Sequence, residues 1–498
     1  MASFRANVIA NYLGRATSLA SIYVFVPLYV AVLGIDAYGI IAFYTILLSF
    51  ASLFDAGISA TFSRQAAFLR DRKELLDLFT TFGRVLLISQ LAVALVVFIM
   101  ASPIVRHWLN LGDRLDQGIA VASVQLMALT LVPQLMMSFY TGGLMGLQKQ
   151  VEANLLQASF SLVRSGLVII PIYFRPDLRV FFLWQAAVAL GFALLSRGYL
   201  LSAMGYGLWQ RGHFVIDRIK PLLGYSAGML AMTIIATINT QLDKVLVISR
   251  FEIATFSYYS LAASLAQIPL ALSQPIAAAL FPRLTTLVAA GDAAQLARIY
   301  RQQSAMISAL AGLAAMTLVG FTPEVLAVWF PHRIMPDQVA TVTRILALGG
   351  WFLALQLGPY YLSLAHGENR VLVILATLSL AVSVPLTFLL ISRYGLIGAA
   401  IPWLVHGASN FVLLSSASHR RFYPGQTWGW LWGSIIRPTA LAALLLGLAR
   451  AAANGLAFGP VATLAMAGVA GALALAVTYT SLRRGWWVAA ERAAAGGI

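Results

Sequence analysis

Arg15, Arg164, Lys244 and Arg344 lie inside long apolar runs of the chain, as do Asp55 and Asp243. Each is one member of a polar stripe at helical spacing. In the run TINTQLDKVLVIS, residues 237–249, projection at about 100° per residue stacks Thr237, Thr240, Gln241 and Lys244 on one face. Asn239 and Asp243 flank that face, and Ile238, Leu242, Val245 and Leu246 take the other side. Asn7, Asn11, Arg15 and Ser18 form a second stripe, and Thr45, Ser49, Ser52, Asp55, Ser59 and Ser63 a third. Asn154, Gln157, Ser161 and Arg164 form a fourth, and Ser257, Ser260, Ser264, Gln267 and Gln274 a fifth. A charge at the centre of a lipid-facing helix costs roughly 2.5–3.5 kcal/mol on insertion scales. Facing a shared aqueous cavity it costs little, so five stripes on five helices predict a polar cavity between helix bundles. Structural alternatives stand beside this reading. Arg15 is within snorkelling reach of the membrane surface. Asp243 and Lys244 can neutralise each other, Asp55 can serve as a helix–helix hydrogen-bonding group, and Arg344 lies near an interface. His406, alone in its apolar run, reads as structural.

The elements that must carry these stripes are membrane spans. The 498 residues are 60% hydrophobic and 10% charged, where soluble domains are about a quarter charged. Apolar stretches of 18 or more residues recur from end to end. They give 14 predicted spans, all α-helical, and the N-terminal run lacks the pattern of a cleavable signal. The second span is expected over 39–63, the fifth over 154–174, the eighth over 255–282, the tenth over 338–365, and the eleventh and twelfth over 371–392 and 397–416. Of the 33 Lys and Arg residues, 21 fall in segments on the N-terminal side of the membrane, 8 opposite and 4 within spans. Both termini are therefore expected in the cytoplasm. The net charge of +16 is spread over short loops, so it reads as topology and not as a nucleic-acid-binding face.

The chain also repeats. ATFSR, 60–64, and ALFPR, 279–283, match at an offset of 219. FYTGGLMGLQK, 139–149, and YYLSLAHGENR, 360–370, match at 221. Two six-span halves follow, 1–203 and 204–416, in parallel orientation, with 417–498 as an extra helix pair and a tail. The charges do not follow the repeat: Arg164 aligns with Pro385 and Arg344 with Ser123.

Enzyme chemistry finds little support. There is no cysteine, no lysine follows a glycine, and D-x-D, G-x-S-x-G and H-E-x-x-H are absent. HGEN, 366–369, reads as a helix end.

The run 11–64, with its Asn-rich start followed by PLY, LG, YG and D-x-G, resembles the O-antigen-type oligosaccharide flippases of bacterial polysaccharide biosynthesis. TQLDKVLVISRFEIATFSYYSLAASLAQIPLALSQPIAAALFPRL, 240–284, resembles their seventh and eighth spans. That family belongs to the multidrug/oligosaccharidyl-lipid/polysaccharide exporter superfamily. The resemblance implies two six-helix lobes around a central cavity and alternating access. It implies no enzyme activity, and an undecaprenyl-diphosphate-linked oligosaccharide turned from the cytoplasmic to the periplasmic leaflet of the bacterial inner membrane. It implies coupling to a cation, H+ or Na+, and no other cofactor or metal. Polysaccharide polymerase and glycosyltransferases are the expected partners in surface polysaccharide or lipopolysaccharide assembly. On this view Arg15, Arg164, Lys244 and Arg344 attract the diphosphate, and Asn11, Asp55, Asn239, Gln241, Asp243 and Gln274 are polar or ion-coupling groups. The alternatives are a lipid II flippase, which also has 14 spans, a cation-coupled drug antiporter of the same superfamily, and a membrane glycan transferase.

Overall fold

The computed structural model describes residues 21, 23–55, 57–69, 71–112, 115–218, 223–331 and 335–484. They are helical and contain no strand. Twelve helices among the described residues are long and apolar enough to cross a membrane, and a shorter apolar helix covers Tyr23–Leu33. One of the twelve, Arg370–Phe422, is two helices joined across Gly395, whose φ is +58°. The span count of 14 is thus approximate, and the all-α polytopic architecture stands.

Contacts divide the chain into two units, 1–257 and 258–498. In the first, α1 is Tyr23–Leu33, α2 Ile35–Ala51, α3 Ile58–Phe68, α4 Arg72–His107, α5 Gln117–Gly146 and α6 Gln150–Ser165. Then come α7 Ile169–Phe174, α8 Leu178–Ala203 and α9 Leu223–Arg250. Helix α5 is the hub, packing on α3, α4, α6 and α8. Its contact with α3 and α4 is an aromatic core in which Phe62, Phe79, Phe82 and Phe139 are each at most 3% exposed. Sparse carboxylates start the helices. The side chains of Asp71, Asp116 and Asp177 accept hydrogen bonds from Lys73, Ile119 and Arg179 backbone N–H groups at 2.8–2.9 Å, satisfying first-turn donors that have no helical partner. The Arg179 side chain also bonds Asp177 and holds its carboxyl below the usual range.

In the second unit, α10 is Ile253–Ala266, α11 Ile268–Ala290, α12 Ala293–Trp329, α13 Asp337–Leu355, α14 Leu357–Ala365 and α15 Arg370–Phe422. The short α16, Thr427–Trp430, leads through a π-helical turn into α17, Arg437–Gly455, and α18 is Pro460–Arg484. The unit boundary falls within α10. Helix α12 packs on α11, α13, α17 and α18, so the last helix pair is built onto the second unit.

Several expected spans are broken. The second is α2, a 3-10 turn at Ser52–Asp55, and α3 after Gly57 at φ +72°. The fifth breaks after Ser165, the eighth at Gln267 and the tenth at Gln356. HGEN is a helix end, with α14 stopping at Ala365 and Gly367 at φ +74°. His406 stacks on Trp403 and hydrogen-bonds Ser379 and Asn410.

Close helix contact in the second unit depends on glycine. A Cβ on Gly407 of α15 would stand 2.5 Å from the Gly349 carbonyl oxygen of α13. Backbone cannot yield as a side-chain tip can. Gly407→Ala should therefore destabilise by about 1–3 kcal/mol, seen as a lower melting temperature in detergent. Gly447→Ala in α17, where a Cβ meets open space, should leave melting unchanged or raise it slightly.

Candidate functional site

In the first unit, α2, α5 and α6 bring three polar side chains together. The Tyr44 hydroxyl donates to Gln134 Oε1 at 2.7 Å, and Arg164 Nη1 donates to the same oxygen at 3.2 Å. The guanidinium also stands 5.3 Å from the Phe160 ring centroid. No carboxylate lies within 4 Å of it among the described residues. A neutral amide thus orients Arg164 without cancelling its charge. Its helix begins at Gln150, four residues before the start of the expected span, so the arginine lies about 21 Å along the helix at 1.5 Å per residue.

The backbone beneath Arg164 is held as firmly as its side chain. Helix α6 ends at Ser165, leaving carbonyl oxygens without helical partners. Trp184 Nε1 and Gln185 Nε2 of α8 donate to the Val163 and Arg164 carbonyls at 3.1 and 3.2 Å. The Tyr29 hydroxyl of α1 donates to the Ser165 carbonyl. In a membrane interior every backbone polar group must find such a partner.

A second polar region lies where α2 and its 3-10 turn face α9. Ser52, Asp55, Ser59, Ser138 and Thr233 contribute to a cavity of about 190 Å³. Ser49, Ser52, Thr233, Thr237 and Thr240 contribute to an adjoining one of about 420 Å³. Asp55 Oδ1 accepts from the Ser59 backbone N–H at 3.1 Å and from Ser59 Oγ at 2.8 Å, so Asp55 anchors the start of α3. From Tyr44 to Ser49 is about 7.5 Å along α2, which places both regions on one helix.

The remaining candidates are distributed as follows. Lys244 turns back along α9, donating to the Thr240 carbonyl at 2.6 Å, and stands 3.7 Å from Asp243. Asn239 and Gln241 are half-buried on the same helix. In the second unit, Arg344 is half-buried on α13, its Nε buried and without a hydrogen-bond partner among the described residues, and Gln274 is exposed on α11. Arg15 and Asn11 lie outside the described residues. The two cavities bring together Ser49, Ser52, Asp55 and Ser59 of the third stripe with Thr233, Thr237 and Thr240 of α9. Neither is lined by Arg164, Lys244 or Arg344. Among the described residues no group of three His, Asp or Glu side chains could hold a metal.

Two participants were not singled out in the sequence, Gln134 and Tyr44. The available signal was LVPQLMM, where one amide follows a proline in an otherwise apolar window.

Residues 4–288 match the family described as polysaccharide biosynthesis protein. The chain is 21% identical over 394 residues to a Shigella flexneri protein named "Putative O-antigen transporter", an alignment covering 77% of this chain and 90% of the relative. Its fold is similar to that of the lipid II flippase MurJ in an inward-closed conformation, with a TM-score of 0.70, 13% identity, and coverage of 96% of this chain and 99% of the other. It is also similar to an inward-facing multidrug resistance MATE family transporter of the MOP superfamily, with a TM-score of 0.60, 13% identity, and coverage of 84% and 98%. The chain is a multi-pass membrane protein and belongs to the polysaccharide biosynthesis protein family.

Proposed function

We propose that this transporter flips an undecaprenyl-diphosphate-linked oligosaccharide repeat unit from the cytoplasmic to the periplasmic leaflet of the bacterial inner membrane, for O-antigen-type surface polysaccharide. The observation that carries the reading is Arg164, a charge deep in an apolar helix array, oriented by a neutral amide and left without a counter-ion among the described residues. A diphosphate crossing hydrocarbon alone faces a very large solvation cost. Fixed guanidinium donors reduce that cost, because the planar fork matches two phosphate oxygens at once. Arg15, Lys244 and Arg344 are the further cations that this reading assigns to attracting the diphosphate. The hydroxyl-lined cavities at α2 and α9 suit sugar hydroxyls, and the polyprenyl tail stays in lipid. Movement proceeds by alternating access, with Asp55 holding the coupling cation, H+ or Na+, and Asp243 balancing charge. Both termini face the cytoplasm, where glycosyltransferases supply the substrate, and a polysaccharide polymerase receives it outside. The name carried by the Shigella relative supports this substrate class.

The test is leaflet exchange. Purified protein in proteoliposomes should move a labelled lipid-linked oligosaccharide to the opposite leaflet and leave its chemical structure unchanged. A changed structure without a changed leaflet would overturn the proposal. The MurJ fold match over 96% of this chain favours one second reading, lipid II flipping. Rescue of a strain lacking its lipid II flippase would establish that reading, and failure of rescue with oligosaccharide exchange intact would remove it.

A further inference from the structure

Three arginines from separate segments of the first unit meet at one cavity. Arg84 comes from α4, Arg197 from α8, and Arg211 from the segment that follows α8. With Phe79, Tyr140 and Leu87 among the other lining residues, they enclose about 230 Å³. Arg197 lies 5.6 Å from the Phe79 ring centroid and donates to the Leu208 carbonyl at 3.3 Å. Arg84 lies 5.9 Å from the Phe214 ring centroid. Among the described residues no carboxylate comes within 4 Å of any of the three. The carboxylate on the neighbouring stretch of α4, Asp77, is buried and accepts from the His213 backbone N–H at 2.7 Å.

The segment carrying Arg211 is pinned in place. The Gly212 and Val215 N–H groups donate to the Thr80 and Thr81 hydroxyls at 2.8 and 3.0 Å. A Cβ on Gly212 would stand 2.6 Å from Asp77 Oδ1, so only glycine permits this approach. Topology requires positive charge on this side of the membrane. It does not require three guanidinium groups to converge against their mutual repulsion, nor a backbone strap to hold one of them over the others. Each guanidinium offers five N–H donors, and convergent, unneutralised guanidinium groups match a phosphate.

The source of the phosphate is legible on α4. Leu87, in the cavity wall, begins an i, i+4, i+8 stripe with Leu91 and Leu95, which are 38, 52 and 59% exposed. Such a stripe beside the cavity is a track for an acyl chain.

We propose that Arg84, Arg197 and Arg211 form a binding site for the headgroup phosphate of an anionic membrane phospholipid, with its acyl chain along Leu87, Leu91 and Leu95. The site lies on the side that the charge count assigns to the cytoplasm. The proposal goes beyond the transport reading and does not depend on it.

The test uses full-length protein in detergent, titrated with phosphatidylglycerol, phosphatidylcholine or inorganic phosphate and followed by melting temperature, since a ligand of the folded state raises it saturably. Phosphatidylglycerol should stabilise the protein, and the other two should not. Arg84 and Arg211 are exposed, so R84Q/R211Q should melt like the wild type without lipid and bind phosphatidylglycerol at least roughly tenfold more weakly, as loss of charged hydrogen bonds requires. R298Q/R370Q, two exposed arginines of the second unit, should bind it like the wild type. Undiminished binding by R84Q/R211Q would overturn the site. An equal loss in R298Q/R370Q would reduce it to general surface charge. Stabilisation by inorganic phosphate alone would make it a free-anion site. If R84Q/R211Q melts early without lipid, Arg211→Gln alone is judged by the same criterion.

Discussion

Arg164→Ala should all but abolish surface glycan in cells while leaving the protein at normal level in the membrane. The fold should tolerate the change because α6 is held through its backbone: Trp184, Gln185 and Tyr29 bond carbonyl oxygens, not the guanidinium. What is lost is charge. Hydrogen bonds to charged groups are worth about 1.5–3 kcal/mol each, so losing one lowers transport by roughly ten- to a hundredfold. Arg164→Lys keeps the charge without the planar fork and should fall between wild type and alanine. Arg164→Met keeps bulk and packing against Phe160 and should melt like the wild type in detergent yet transport like the alanine variant. Surface glycan on gels, normalised to membrane protein, reads all three. Full glycan output from Arg164→Ala would remove this residue from the mechanism and with it the observation on which the substrate class rests.

The spans were legible because lipid demands long apolar runs, and that demand is written directly in composition. The breaks were not. Projection at 100° per residue assumes an unbroken helix, so Thr45 to Ser63 read as one stripe. The chain leaves the helix at Ser52–Asp55, and Gly57 takes a left-handed φ of +72° before α3 starts. Asp55 and Gly57 are the D-x-G of the family resemblance, and in the structure they build the turn between α2 and α3. Apolar flanks conceal such a turn because neither hydropathy nor period changes across it. Ser52, Asp55 and Ser59 do share a cavity, but the turn puts them there and not the helical period. Gln134 escaped for the opposite reason: a lone amide has no stripe, and only its distance to Tyr44 and Arg164 gives it meaning. Lys244 shows a limit of face projection. Its long stem carries the ammonium back to Thr240 on its own helix, and side-chain direction of that kind is absent from a wheel of Cβ positions. The sequence assigns the arginines at 84, 197 and 211 to one side of the membrane, but their convergence on one cavity depends on the return of 205–218 over α4, which has no local signature.

Asp55 separates coupling from scaffold. Its Oδ1 bonds the N–H and hydroxyl of Ser59 at the start of α3, and its Oδ2 has no hydrogen-bond partner among the described residues. The carboxylate lines a cavity with Ser52, Ser59, Ser138 and Thr233, whose hydroxyls are acceptors for a hard cation or its water. Asparagine serves a helix start about as well as aspartate. Asp55→Asn should therefore leave melting unchanged while removing the charge proposed to hold the coupling cation, so proteoliposome transport should lose its response to an imposed H+ or Na+ gradient and slow at least roughly tenfold, the effect of one charged contact. Asp55→Ala loses both functions and should also cost about 1 kcal/mol of stability. The split between the two variants carries the argument: a purely structural Asp55 makes asparagine indistinguishable from wild type and alanine alone defective. Wild-type, gradient-dependent transport by Asp55→Asn would place the coupling cation elsewhere and leave Asp55 as the residue that turns the chain from α2 into α3.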